Sequence, residues 1–177
     1  MEWMLMPLRR YAEFSGRSRR MEFWMWILFT FIVGLILGVI DGVLGFRLNS
    51  SPPTAGSGGA IGLAMVSSVG ILGGLWSLAT LVPNIAVAVR RLHDTNRTGW
   101  WLLVPLIPYV IGLVIMLGAA TSQNLALIGI GGIFTIIGLV AAIALLVFYC
   151  LPGTRGPNKY GPDPMGDSPA NLSETFQ

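Results

Sequence analysis

The feature that most restricts the fold is the run from Leu125 to Leu151, 27 residues without a charged side chain. Three more runs share that character: Phe23 to Ile40 (18 residues), Ala60 to Val89 (30) and Trp100 to Ala120 (21). A helix rises about 1.5 Å per residue, so even the shortest run reaches about 27 Å, close to the ~30 Å hydrocarbon thickness of a bilayer. Apolar residues surround each run instead of forming one stripe, which suits a helix with lipid on one side and protein on the other. Only 11% of the 177 residues are charged and 54% are apolar. An ordinary soluble domain carries about 25% charge, so a water-soluble core-and-shell protein is not expected. The sequence predicts an all-α membrane protein with four transmembrane helices.

The second run would be about 45 Å long as a helix, too long for one straight span. Pro83-Asn84 divides it, since proline removes a backbone donor and crowds the preceding turn. The expected span is therefore about 62–83, with Ile85–Val89 as a tilted or interfacial extension. Gly34, Gly38 and Gly42 recur every four residues on the first helix, and Gly70 and Gly74 on the second, a spacing suited to close helix contact in lipid.

Loop charge predicts orientation. Arg9, Arg10, Arg17, Arg19, Arg20, Arg90, Arg91, Arg97, Arg155 and Lys159 fall on one side, and Arg47 alone on the other. The positive-inside rule assigns the richer side to the cytoplasm and predicts an N-in, C-in bundle. The chain divides into an N-terminal cytoplasmic or interfacial segment (1–22), a four-helix transmembrane domain (23–151) and a cytoplasmic tail (152–177). The N-terminus does not read as a cleavable signal, because its charged lead is long and Asp41-Gly42-Val43 lacks a small-residue cleavage pattern. Met1–Leu8 is expected to lie at the interface. Asn49 to Gly59 reads as a flexible outer loop and the tail after Met165 as disordered.

The net charge of +3 is too small to indicate a nucleic-acid partner. The single cysteine, Cys150, excludes an intramolecular disulfide or Cys-rich metal site and is expected to be a small buried hydrophobe. Zinc needs three or four ligands, and the chain has one histidine, His93, so neither a metal nor another cofactor is expected.

Three polar motifs flank the spans. They are Ser15-Gly16-Arg17-Ser18-Arg19-Arg20-Met21-Glu22-Phe23-Trp24, then Arg91-Leu92-His93-Asp94 running to Thr98-Gly99-Trp100-Trp101, then Asn158-Lys159-Tyr160-Gly161-Pro162-Asp163-Pro164. In this order they closely resemble a bacterial inner-membrane family known as domain of unknown function 805, over about residues 8–164. Asn96 and Thr98 depart slightly from the glycine and serine commoner there. The resemblance implies a small polytopic inner-membrane protein and no established catalytic residue.

The residues also bear a physical reading. Gly16 gives the chain a turn and Ser18 is the expected N-cap of a helix starting near Arg19, with Arg19 and Glu22 paired at i, i+3. Trp24, Trp100 and Trp101 are expected at headgroup level, with Thr98 capping the next helix and Gly99 allowing close approach. Asp94 is expected to pair with Arg90, Arg91 or Arg17. His93 and Asp94, as sequence neighbours, cannot face each other as a catalytic dyad, so they are expected to hold the loop. Asn158, Tyr160, Gly161 and Pro164 specify a rigid turn that has to dock on something.

Arg17, Arg20, Arg90, Arg91, Arg97 and Lys159 converge on one side as candidates for binding an anionic lipid headgroup or a protein partner. The predicted function is a non-enzymatic inner-membrane protein bearing this basic platform, and the sequence is compatible with a homo-oligomer. The alternative is a transporter or channel subunit, against which stands the lack of ionisable residues in mid-span. A lipid enzyme would have only Asp94, His93 and Glu22 to draw on.

Overall fold

The computed structural model describes residues 2–46, 70–122 and 124–164. A short helix α1 (Glu2–Arg9) precedes α2 (Arg20–Leu44), α3 (Ile71–Asp94), a 3-10 turn (Gly99–Leu102), α4 (Leu103–Ser122) and α5 (Leu125–Cys150). The last four, the 3-10 turn counted with α4, are long and apolar enough to cross a membrane. Helices close their backbone hydrogen bonds within one segment, which hydrocarbon demands. Most large apolar side chains of α2, α4 and α5 point outward, as lipid-facing residues do. Arg47, the loop from Asn49 to Gly59 and the tail after Met165 lie outside the described residues.

The second span departs from expectation. Positions 62–69 of the expected span lie outside the described residues; the described helix runs Ile71–Asp94, passing through Pro83 and extending well beyond the expected end near 83. Of the four it is both the least apolar and the most buried. Packing against protein compensates for proline here, because neighbouring groups can satisfy what its missing N–H and its bulk disturb. Next to the proline, Asn84 Oδ1 accepts the indole N–H of Trp26 at 2.6 Å and ties α3 to α2. Ala86, Val87 and Ala88 are buried while Ile85 is exposed, so most of the stretch expected at the interface is core.

The chain packs as two compact units. One comprises Met1–Phe29, Leu81–Leu102 and Ile143–Gln177. Its core joins Phe23, Trp26, Val87, Ala88, Leu92, Leu145 and Tyr149. The other comprises Thr30–Thr80 and Leu103–Ala142. There the close contact expected of the Gly34/Gly38 ridge is not made, since a Cβ at either position would meet nothing within 4 Å. The tight approach is between α4 and α5: a Cβ on Gly112 would lie 2.6 Å from Thr135 Oγ1, and one on Gly138 would lie 3.0 Å from Tyr109.

The first three amides of α3 are bonded by α2 and the residues just after it. The amide of Ile71 donates to the Phe46 carbonyl (2.9 Å), and those of Leu72 and Gly73 donate to the two carboxylate oxygens of Asp41 (3.1 and 2.9 Å). First-turn amides have no acceptor within their own helix, so Asp41 is an N-cap supplied from another helix. Gly70 leaves the room it needs; a Cβ there would fall 2.1 Å from Asp41 Cγ.

Ser18 does not cap α2. Its hydroxyl is buried without a hydrogen-bond partner, while its amide donates to the Arg90 carbonyl (3.2 Å) and ties the chain to α3. Cys150 is exposed, not buried, because it ends α5 where the chain leaves the packed core. Asn96 has φ +61°, a left-handed conformation that asparagine tolerates better than most residues, which accounts for glycine being the commoner residue there.

Candidate functional site

The site is built around Asp94, the last residue of α3. An acid at a helix C-terminus faces the negative end of the helix dipole, so it needs cations. Two arrive. Arg17 Nε donates to Oδ1 at 2.9 Å, and Arg91, one turn back on α3, donates to Oδ2. All three side chains are at most 5% exposed. In such surroundings a charged group is stable only when paired and hydrogen-bonded.

Both guanidiniums also donate to main-chain carbonyls at and just after the end of α5, and Arg91 Nη1 lies 3.5 Å from the Ser18 carbonyl. Arg91 donates to the carbonyls of Tyr149 (3.2 Å) and Leu151. Arg17 donates to those of Thr154 and, at 2.7 Å, Gly156. The last carbonyls of a helix lack intrahelical donors, so Arg91 acts as the C-cap of α5. Asp94 also binds through its backbone: its carbonyl accepts the amide (2.9 Å) and hydroxyl (3.1 Å) of Thr154. A single residue thereby holds the entry to α2, the end of α3 and the exit from α5.

The third motif folds onto the second. Asn158 and Gly161 exchange backbone hydrogen bonds at 3.0 and 3.1 Å, and Asn158 Oδ1 accepts the Tyr160 amide (2.8 Å), which closes a tight turn. Asn158 Nδ2 then donates to the His93 carbonyl (3.0 Å) and to Thr154 Oγ1 (2.9 Å). The rings of His93 and Tyr160 stack with centroids 3.8 Å apart and planes 4° from parallel. His93 Nδ1–H donates to the Gly16 carbonyl at 3.3 Å, so its ring touches both the first motif and the third. Arg19 donates to the Pro164 carbonyl, and Asp163 accepts the Gly156 amide at 2.9 Å.

The six basic candidates are therefore not all gathered at one place. Arg17, Arg20 and Arg91 line a cleft of about 480 Å³, together with Arg19, Arg155, Asp94 and Asp163. Arg90 is fully buried elsewhere, its Nη1 3.2 Å from Glu22 Oε1, a charge contact without hydrogen-bond alignment. Glu22 thus meets Arg90, while Arg19, expected to pair with it, donates to the Pro164 carbonyl. Arg97 lies over the Phe148 ring, 3.9 Å from its centroid, and Lys159 stands 5.0 Å from that of Tyr160. Both are cation–π contacts, the first joining the second motif to α5 and the second lying within the third motif. Away from the cleft, Arg10 binds both oxygens of Glu13 at 2.6 Å and holds that carboxyl below its ordinary pKa.

The cleft residues Pro152, Gly153, Thr154 and Arg155 had no site role in the sequence analysis; of these, Gly153 gives Asp94 its space. A Cβ on Gly153 would lie 2.2 Å from Asp94 Oδ2. Gly99 plays the expected close-approach role, with a Cβ there meeting Val89 at 3.0 Å. Trp100 is 75% exposed and Trp24 also faces outward. Among the described residues, no three of His, Cys, Asp and Glu are grouped so as to hold a metal ion.

Comparison with known proteins agrees with the motif arrangement. Residues 11–162 match the family described as protein of unknown function, DUF805. The chain is 35% identical to inner membrane protein YhaI of Escherichia coli (strain K12), covering 93% of this chain and 96% of that one. It is 34% identical to inner membrane protein YhaH of the same strain, over 93% and 97% of the two chains. Uncharacterized protein YiiR of that strain is 26% identical over 85% of each. No solved structure matches. With four apolar helices and relatives named for the inner membrane, this multi-pass chain belongs to the DUF805 family of inner membrane proteins.

Proposed function

We propose that this protein is a non-enzymatic inner-membrane protein whose motif-bearing face lies in the cytoplasm and binds an anionic lipid headgroup in the arginine-lined cleft. The observation that carries this reading is the division of labour among the arginines. Arg17 and Arg91 spend their donors on Asp94 and on carbonyls, so they build the site. Arg20 and Arg155 are exposed: Arg20 makes one long contact, 3.4 Å to the Cys150 carbonyl, and Arg155 makes no hydrogen bond among the described residues. Trp24 follows Arg20 by four residues on α2, about 6 Å along the helix axis on the same face. Tryptophan favours the headgroup layer, and a guanidinium at that depth meets phosphates. The acid–base candidates support a role without catalysis, since Asp94 and Glu22 are paired to arginines and the His93 ring is stacked on Tyr160.

Replacing Arg20 and Arg155 together by Gln should weaken retention of anionic lipid about thirtyfold, at about 1 kcal/mol per basic residue, without lowering the melting temperature. Native mass spectrometry of protein released from mixed-lipid nanodiscs measures this, and unchanged retention of phosphatidylglycerol and cardiolipin would end the proposal. For the orientation, a reporter fused after Gln177 should be active in the cytoplasm and one placed within Ser50–Gly59 in the periplasm. The reverse pattern would put the cleft on the wrong face.

A further inference from the structure

We infer that residues 2–14 form an in-plane anchor, laying the side chains of Leu5, Leu8, Tyr11 and Phe14 into the membrane leaflet that borders the motif-bearing face. These four apolar or aromatic residues recur at every third position, and each is 37–43% exposed. A spacing of three keeps successive residues on one side of a helix. The winding also outlasts α1. The Arg10 amide donates to the Met6 carbonyl at 3.0 Å, and the Glu13 amide donates to the Arg10 carbonyl at 3.3 Å. That second bond is of the tighter i to i+3 kind, in which residues three apart eclipse one another. Pro7 is fully buried and fixes the side of α1 that rests on the protein. Leu5 lies two residues from it, about 200° round the helix axis, and so points away.

The charges within the stretch suit a lipid surface. Arg10 binds both carboxylate oxygens of Glu13 at 2.6 Å, so the two reach the apolar boundary as a neutral pair instead of as separate ions. Arg9 is exposed, with a stem that lies along apolar surface while its guanidinium stays among phosphates. The tether sets the depth. The chain turns at Gly16 (φ +85°), whose carbonyl meets His93, and the Ser18 amide donates to the Arg90 carbonyl. Both contacts hold the end of the stretch at the last turn of α3, where a span leaves the hydrocarbon. Four residues past Gly16 the chain enters α2, whose exposed Met21, Trp24, Ile27 and Leu28 open its lipid-facing side. The outward apolar residues of 5–14 therefore continue in sequence into a surface that already meets lipid, which favours lipid as the occupant over a protein partner or a second copy.

The test uses the full-length chain in nanodiscs of phosphatidylcholine and phosphatidylglycerol. Nitroxides are attached at Leu5→Cys, Leu8→Cys or Phe14→Cys, each with Cys150→Ser. Collision with dioxygen and with a water-soluble nickel chelate gives their depth, calibrated with spin-labelled lipids. All three should read about 5–10 Å into the boundary between headgroups and acyl chains, the depth at which amphipathic helices settle. Any of the three at the level of bulk water overturns the anchor. A second arm needs no cysteine: benzoylphenylalanine in place of Leu5 or Tyr11, illuminated in the same nanodiscs, should give phospholipid adducts seen by mass spectrometry. Crosslinked dimers in their place would assign the surface to a second copy and overturn the lipid assignment, as would the absence of lipid adducts. Neither arm depends on the arginine-lined cleft, so the anchor and the proposed function stand or fall separately.

Discussion

Asp94→Asn should release the three-motif assembly while the four long helices stay formed. Asparagine is nearly isosteric and can still accept a hydrogen bond, so the loss is one of charge. Arg17 and Arg91 would remain buried beside each other with no counter-ion, since their side chains are 2% and 0% exposed. Removing one partner of a buried ion pair costs about 3–5 kcal/mol, and here a single carboxylate serves two cations. The expected result is a large fall in melting temperature in detergent and much faster trypsin cleavage after Arg155 and Lys159, which the fold otherwise holds close to the second motif. Far-ultraviolet circular dichroism should change little, because the apolar helices do not depend on this acid. Cleavage and melting at wild-type rates would mean that the ion triad contributes little to holding the tail.

Gly153→Ala should produce a similar defect by a steric route. The new methyl would lie 2.2 Å from Asp94 Oδ2 and 2.7 Å from Oδ1, with no room on either side of the carboxylate. An unconstrained aspartate could swing away, but this one is held by Arg17 and Arg91 at opposite oxygens. Overpacking of this kind costs about 1–3 kcal/mol, and part of the ion-triad energy should be lost with it. Gly34→Ala is the control, because a Cβ there meets nothing within 4 Å. Melting curves of the two variants side by side provide the measurement. Equal stability would show that Asp94 has slack the structure does not display.

The sequence made three of the four spans legible because bilayer thickness leaves little freedom in helix length. α2, α4 and α5 begin and end within a few residues of the expected charge-free runs. The end of α3 was placed too early because Pro83 was read as a division, whereas a buried helix with Trp26 bonded to Asn84 carries proline without breaking. At the site, local spacing could suggest that Asp94 pairs with Arg91 three residues earlier. It could not decide between Arg90 and Arg91 as partners of Asp94 and Glu22. Adjacent arginines on a helix point about 100° apart, so tertiary packing makes that choice. Nor does any local rule connect Arg17 to an aspartate 77 positions away, or mark Arg155 before the tail folds back.

The Asp41 cap has a consequence for how the chain enters its membrane. During synthesis α2 emerges before α3, and it already carries the carboxylate that the first amides of α3 will need. Unbonded amides are costly in a lipid environment, so α3 has little reason to leave the translocase until α2 is beside it. The two are then expected to partition together as one hairpin. In an Asp41→Ala chain, site-specific crosslinks from α3 to the translocase should outlast those of the wild type, and equal crosslink lifetimes would mean that the helices insert independently.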